Sequence, residues 1–234
     1  MEAEILKTVL TGKGHSMQNI LSMSDEIFEM LNRKYPKTYD DFVSQIDIDL
    51  ENIISDSESG RNFHHNKSED EMTVHLLSQI KRLYPSAHHD PHNGGHVDIY
   101  FEVKSSDGVM FKWIAEAKKW DGATWGDKGL FYQLLTSYTN GGENKDRGGI
   151  IFYSQIPSGG AFVMKEWKKH IEEKGIDVLD LRNDELRFST KHILNNGNGP
   201  NFHVRHYCVD VYHPPTQANT ERKATRQRVT KSKD

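Results

Sequence analysis

The sequence predicts an α/β protein whose mixed central sheet is flanked by helices and preceded by a helical N-terminal segment. Three observations carry that expectation. Segments with apolar residues at helical spacing alternate along the chain with segments of period two. Two of the period-two segments, within residues 96–119, flank Ser106-Asp107-Gly108 and read as a hairpin. The run GIIFYS, residues 149–154, is apolar enough to be a strand covered on both faces.

Met17–Tyr35 carries Ile20, Leu21, Ile27, Phe28 and Leu31 near helical spacing and stops at Pro36. Tyr39–Ile54 is a second amphipathic helix, with Phe42, Ile46, Leu50, Ile53 and Ile54 on one side. The polar stretch SDSESGRNFHHNKS then breaks the pattern and predicts a boundary near residue 66. Residues 1–66 are thereby an acidic helical segment, suited to covering an edge of the main domain or to pairing with another copy. Ser68–Tyr84 follows: Ser68 is the N-cap, Glu71 sits at the capping-box position, and Met72, Leu76, Ile80 and Leu83 form the apolar stripe. Pro85 ends it.

A Gly-rich link, HNGG, leads into strands at His96–Val103 and Met110–Lys119, and then a helix at Asp127–Thr139. After the strand at 149–154, Phe162–Lys174 is a helix stopped by Gly175. Ile176–Leu181 is another strand, and Phe202–Tyr212 alternates as the last one, closing a main domain over residues 67–215. Residues 216–234 form a basic tail expected to be disordered.

At 234 residues the chain is long enough to bury a real core. Mean hydropathy is −0.75, and no run approaches the roughly 18 apolar residues of a membrane span. Acidic residues stand in MEAEILKTVL where a signal peptide carries basic ones. The single cysteine, Cys208, leaves no internal disulfide and no cysteine-based zinc cage. A cytoplasmic protein that does not enter membranes is the expectation. Net charge is −4 but unevenly spread: residues 1–60 hold twelve Asp/Glu against five Lys/Arg, while ERKATRQRVTKSKD at the end holds six Lys/Arg. Such a tail can bind phosphates through counterion release, although the overall balance does not mark a nucleic-acid binder.

The chemistry lies in the hairpin. Side chains alternate along a strand, so Glu116 and Lys118 share a face, and a tight turn brings Asp98 onto the neighbouring strand within reach of the same ion. Charged residues rising from otherwise apolar strands are costly unless paired or metal-bound. Mg²⁺ or Mn²⁺ prefers oxygen ligands, here Asp98, Glu116 and the backbone carbonyl of Ala117. Lys118 is placed to orient a water or to stabilise charge on phosphorus. This set points to metal-dependent phosphodiester hydrolysis.

These residues resemble the PD-(D/E)XK nuclease superfamily. Asp98 matches the motif aspartate and Glu116-Ala117-Lys118 the (D/E)XK triplet, over a likeness covering residues 68 to about 155; residue 97 is Val where the motif has Pro. The resemblance implies a restriction-endonuclease-like core, a Mg²⁺- or Mn²⁺-dependent endodeoxyribonuclease activity, and a setting in restriction, repair or anti-phage defence. It also implies an acidic residue on the preceding helix as a metal ligand, for which Glu71 is the best match and Glu69 the near alternative. A polar group on the following helix aims at the metal or substrate, and Gln133 matches it. RecB-like members have Q-x-x-x-Y, whereas four residues separate Gln133 from Tyr138 here. DNA is the expected substrate, with RNA a variant, and a regulatory protein partner or self-association is compatible with the acidic helices. The alternative is a noncatalytic nucleic-acid-binding or partner-binding subunit that keeps the fold.

Other clusters weigh less. His88, His89, His92 and His96 with Asp90 match no metal-ligand spacing and read as surface histidines, His96 excepted because it shares a strand face with Asp98. His206 and Cys208 fall on one face of a half-buried strand, where a Cys–His nucleophile has no local support. Trp113, Trp120 and Trp125 surround the ExK segment and read as core or rim residues, with base stacking the rarer role. Lys112, Lys119 and Lys128 are candidates for contacts to the phosphate backbone.

Overall fold

A computed structural model describes residues 8, 12–14, 16, 24–90, 97–179, 184–195 and 198–214. Residues 17–23, His92, His96 and the basic tail lie outside the described residues. Six α-helices are named here: α1 (Ser24–Lys34), α2 (Tyr39–Ser59), α3 (Arg61–His64), α4 (Glu69–Leu83), α5 (Ala123–Asp127) and α6 (Gly159–Glu173). A π-helix, Lys128–Tyr138, continues directly from α5. The strands are β1 (His88–Asp90), β2 (Val97–Lys104), β3 (Met110–Lys119), β4 (Arg147–Ser154), β5 (Val178–Leu179), β6 (Arg187–Ile193) and β7 (Asn201–Asp210).

The strands form one mixed sheet in the order β1-β2-β3-β4-β7-β6-β5. β3, β4 and β7 run parallel, and the flanking pairs are antiparallel. The α/β class and the mixed sheet flanked by helices are thus present. On one face Ile99, Phe101, Trp113, Ala115, Ala117, Ile151 and Tyr153 meet α2 and α4. On the other, Tyr100, Ile114, Ile150, Phe152, Val204 and Cys208 meet the π-helix and α6.

The helix α2 runs five residues beyond the expected Ile54, starting from a Thr38–Asp41 capping box. Phe42, Ile46, Leu50 and Ile54 are buried in the same core as Met72, Leu76 and Ile80 of α4. Burying each such side chain contributes about 1.5–3 kcal/mol. The break expected near residue 66 is therefore a turn, with α3 inside it, between two helices that share one core. Residues 39–66 do not pack as a separate unit.

In α1, Phe28 and Leu31 are exposed, contrary to the expected apolar stripe. A charge holds this helix instead. Arg33 grips the buried Asp49 with two bonds of 2.8 and 2.6 Å, and Tyr84 Oη and Gln45 Nε2 donate to the same carboxylate. Two strands escaped the sequence reading. β1 replaces the expected His-rich loop at 88–90, and β6 pairs with β7 along Arg187–Ile193. The alternation of Phe188, Thr190 and His192, all buried, is the signal that could have found β6.

Asp49→Ala strands Arg33, Tyr84 and Gln45 without their shared acceptor. It is expected to destabilise the protein by about 3–5 kcal/mol in urea unfolding, as breaking a buried ion pair does. Ile48→Ala, on the exposed side of α2, is expected to cost far less.

Candidate active site

β3 pairs on both edges and is covered on both faces, so every side chain from Trp113 to Lys118 is buried. The hairpin that precedes it is closed by Gly108, whose φ of +86° favours glycine, with Ser105 accepting from its N–H at 3.0 Å. The register that pairs Ile99 with Ala115 sets Asp98 directly opposite Glu116. Ala115 and Ala117 face the helical core of α2 and α4, while Ile114, Glu116 and Lys118 face the other side. Asp98, Glu116 and Lys118 therefore meet as the spacing predicts.

Glu116 is 0% exposed. Its Oε1 lies 2.6 Å from Lys118 Nζ, yet neither carboxylate oxygen has a hydrogen-bond partner of acceptable geometry among the described residues. Burial, reinforced by Asp98, pushes its pKa up to about 8. Burial also raises Asp98, against the opposing pull of the Ala117 N–H, which donates to Oδ2 at 2.9 Å, and of Lys118. For Lys118 burial works toward the neutral amine, but Glu116, Asp98 and Glu69 outweigh it and keep the ammonium charged.

Glu71 is not at this site. It is exposed, and its carboxylate accepts from the N–H and the hydroxyl of Ser68 at 2.8 Å each, closing the capping box of its own helix. Glu69 takes the helix position: Oε1 is 3.2 Å from Lys118 Nζ, and Oε2 accepts from the Lys119 N–H at 2.7 Å. A side chain that caps its own helix is spent locally, and that conflict was visible in the Ser68–Glu71 spacing. Ala117, expected to offer its carbonyl to an ion, contacts the site through its N–H, which is bound to Asp98.

Gln133 lies beside the site, half-buried, and its Nε2 donates to Tyr138 Oη at 3.2 Å. The two residues are five apart, which in an α-helix would set them off one another. Here the helix is π, with i to i+5 contacts that also join Thr136 to Phe131 O and Ser137 to Tyr132 O. The wider turn brings the amide of Gln133 and the phenol of Tyr138 together although they are five residues apart. Burial and then Glu116 raise the Tyr138 pKa, the second effect reflecting its closeness to the carboxylates.

Gly129 was missed in the sequence and matters most for the approach of this helix. A Cβ there would fall 3.1 Å from Lys118 Cγ and 3.3 Å from Glu116 Cγ. Only a residue without a side chain lets the π-helix lie this close over both functional groups.

The remaining candidates separate clearly. His89 Nδ1 lies 3.2 Å from the Asp98 carbonyl oxygen, at the rim, and His88 bonds to Ser86 O. Trp113 is buried in the helical core and Trp120 packs edge-on to Phe152, whereas Trp125 is exposed beneath Lys128. His206 does not pair with Cys208: its Nδ1 accepts from Trp167 Nε1 at 2.9 Å and its Nε2 contacts Thr190. Burial pushes the Cys208 thiol well above its usual range, which removes it as a nucleophile.

No family model, curated protein or solved structure matches the chain. Among the described residues no three His, Cys, Asp or Glu side chains already form an ion cage. The donor set nonetheless fits a hard divalent ion. Asp98 and the Glu116 carboxylate, paired only with Lys118, are oxygen ligands on adjacent strands, and Mg²⁺ typically keeps one or two carboxylates with water and phosphate completing its shell.

Two outcomes follow from this geometry. Burial and Asp98 favour the protonated form of Glu116, and the proton must leave for the carboxylate to hold an ion. The raised pKa favours the metal-free fold at low pH, and that contribution is lost as pH rises from about 4.5 through about 8. The rise in melting temperature caused by Mn²⁺ is therefore expected to be larger at pH 8.5 than at pH 6, and Glu116→Gln should abolish the difference. Gly129→Ala is expected to displace Glu116 and Lys118 and to shrink the Mn²⁺-induced rise in melting temperature at pH 8.5.

Proposed function

We propose that the protein is a Mg²⁺- or Mn²⁺-dependent nuclease that hydrolyses DNA phosphodiester bonds. The observation that carries this reading is the Glu116 carboxylate: fully buried, opposite Asp98, and met among the described residues only by Lys118, at one oxygen. Such a group is destabilising unless something positive binds it, and Lys118 meets only one of its oxygens.

Asp98, Glu116 and the Ala117 carbonyl would hold the metal, which when bound lowers the pKa of a water and neutralises phosphoryl charge. Lys118 is fixed between Glu116 and Glu69, its ammonium kept charged and aimed at the same space. That preorganised cation stabilises the negative charge that builds on phosphorus. Glu69 acts by positioning Lys118 and by tying α4 to the end of β3. Gln133, oriented by Tyr138, offers an amide to the attacking water or to a phosphate oxygen.

The mixed sheet, with the aspartate and the ExK triplet on adjacent antiparallel strands, supports a restriction-endonuclease-like core. By that resemblance the working setting is restriction or anti-phage defence, with control by a protein partner. No helix among the described residues is long and apolar enough to cross a membrane.

Purified protein incubated with supercoiled plasmid, linear duplex, single-stranded DNA or RNA tests the reading. Metal-dependent DNA cleavage is expected, abolished by EDTA and reduced about 10²- to 10³-fold in Lys118→Ala. Absence of cleavage from folded protein with every substrate and either metal would contradict it and leave a noncatalytic binding subunit.

A further inference from the structure

Beside the carboxylates, between the end of the π-helix and the first half of β3, lies a cleft of about 350 Å³. The carboxylates do not line it, but it neighbours them along the same strand. Ile114 in its lining is one pleat from Glu116 on the same face, and Tyr138 on its wall is the partner of Gln133. Its lining carries three cations, Lys112, Lys145 and Arg147, and no carboxylate.

These cations come from β3, from the loop after the π-helix and from the start of β4, which are tied together. The Lys112 N–H donates to Asn144 O at 2.9 Å, fixing the loop that presents Lys145 to the start of β3. Glu102 lies 3.3 Å from Lys112 Nζ but also accepts from Tyr100 Oη at 2.7 Å, and Asp40 pairs with Arg147. Lys145 makes no ion pair among the described residues. Thr139 and Asn140 add a hydroxyl and an amide to the same lining. Fixed cations with neutral hydrogen-bonding groups are the usual means of holding phosphate oxygens.

Position decides what such a site is for. Lys112 stands four residues from Glu116 on one strand, roughly 13 Å at about 3.3 Å per residue. That is too far to touch the phosphate being cut, and close enough to touch another phosphate of the same strand. The volume, about 350 Å³, is that of a small-ligand cleft and suits a short stretch of one strand's backbone.

We infer that this cleft is a phosphate subsite for the substrate strand, holding its backbone a short way from the cut bond through Lys112, Lys145 and Arg147. The inference rests on the nuclease reading for the identity of the substrate. It explains how a chain of net charge −4 can engage a polyanion: the attraction is local, in a cleft lined by residues of the strand that carries Glu116.

Lys145→Glu and Lys112→Glu test it, each with its melting temperature measured to establish folding. Two substrates are compared with wild type: a long oligonucleotide, and bis(p-nitrophenyl) phosphate, which is too short to reach from the carboxylates into the cleft. For each variant, oligonucleotide cleavage is expected to fall about tenfold more than hydrolysis of the small diester. The slope of metal-free oligonucleotide binding against salt should also fall by about one per cation removed. Equal losses on both substrates, or no loss on either, would overturn the inference. If wild type hydrolyses neither, the nuclease reading fails and binding alone decides the subsite. A reduced salt slope in the variants then supports it, and an unchanged slope overturns it.

Discussion

The site depends on the burial of an ion pair on a strand that has no free edge and no free face. β3 is bonded to β2 on one side and to β4 on the other, and helices cover it above and below. A carboxylate and an ammonium on such a strand cannot turn to solvent. Glu116 and Lys118 must answer to each other, to Asp98 across the hairpin and to Glu69 from α4. Replacing the pair with apolar residues would be the simpler way to build this sheet, since buried ion pairs add little net stability. On the proposed reading the pair is there for its chemistry.

The surrounding elements serve this constraint. α4 fills the opposite face with Met72, Leu76 and Ile80, and its first turn brings Glu69 to Lys118 and to the Lys119 amide. α2 lies over the same face and is anchored by Tyr39 Oη, which donates to Lys112 O, and by the Asp47–Tyr207 contact. The N-terminal helices are thus part of the scaffold that holds β3. On the functional face the π-helix closes over Glu116 because Gly129 has no side chain to stop it. The same π geometry aligns Gln133 with Tyr138. π-turns raise the energy of a helix, and they recur at functional sites for reasons of this kind.

The hairpin was the most legible part of the sequence, because a two-residue period and one Gly turn determine which side chains meet. Asp98, Glu116 and Lys118 came from that alone. Helices at 39–54, 68–84 and 162–174 followed from apolar spacing. Glu71 misled because two roles, helix cap and metal ligand, compete for one carboxylate, and the local bond to Ser68 wins. The π-helix was not legible: its extra residue per turn leaves the apolar pattern nearly unchanged, so Gln133 and Tyr138 looked out of step. β6 hid behind polar alternate positions, and the packing of α2 depends on contacts between residues more than a hundred apart in sequence. Such contacts leave no local trace.

The central claim is that Asp98 and Glu116 together hold a divalent ion. The most direct test is anomalous diffraction from crystals equilibrated with Mn²⁺ above pH 8. The account predicts a manganese peak between the two carboxylates, in contact with an oxygen of each, with Lys118 beside it. Saturating Mn²⁺ that leaves this position without a peak, or that gathers instead at the histidines around His88 and His89, would contradict it.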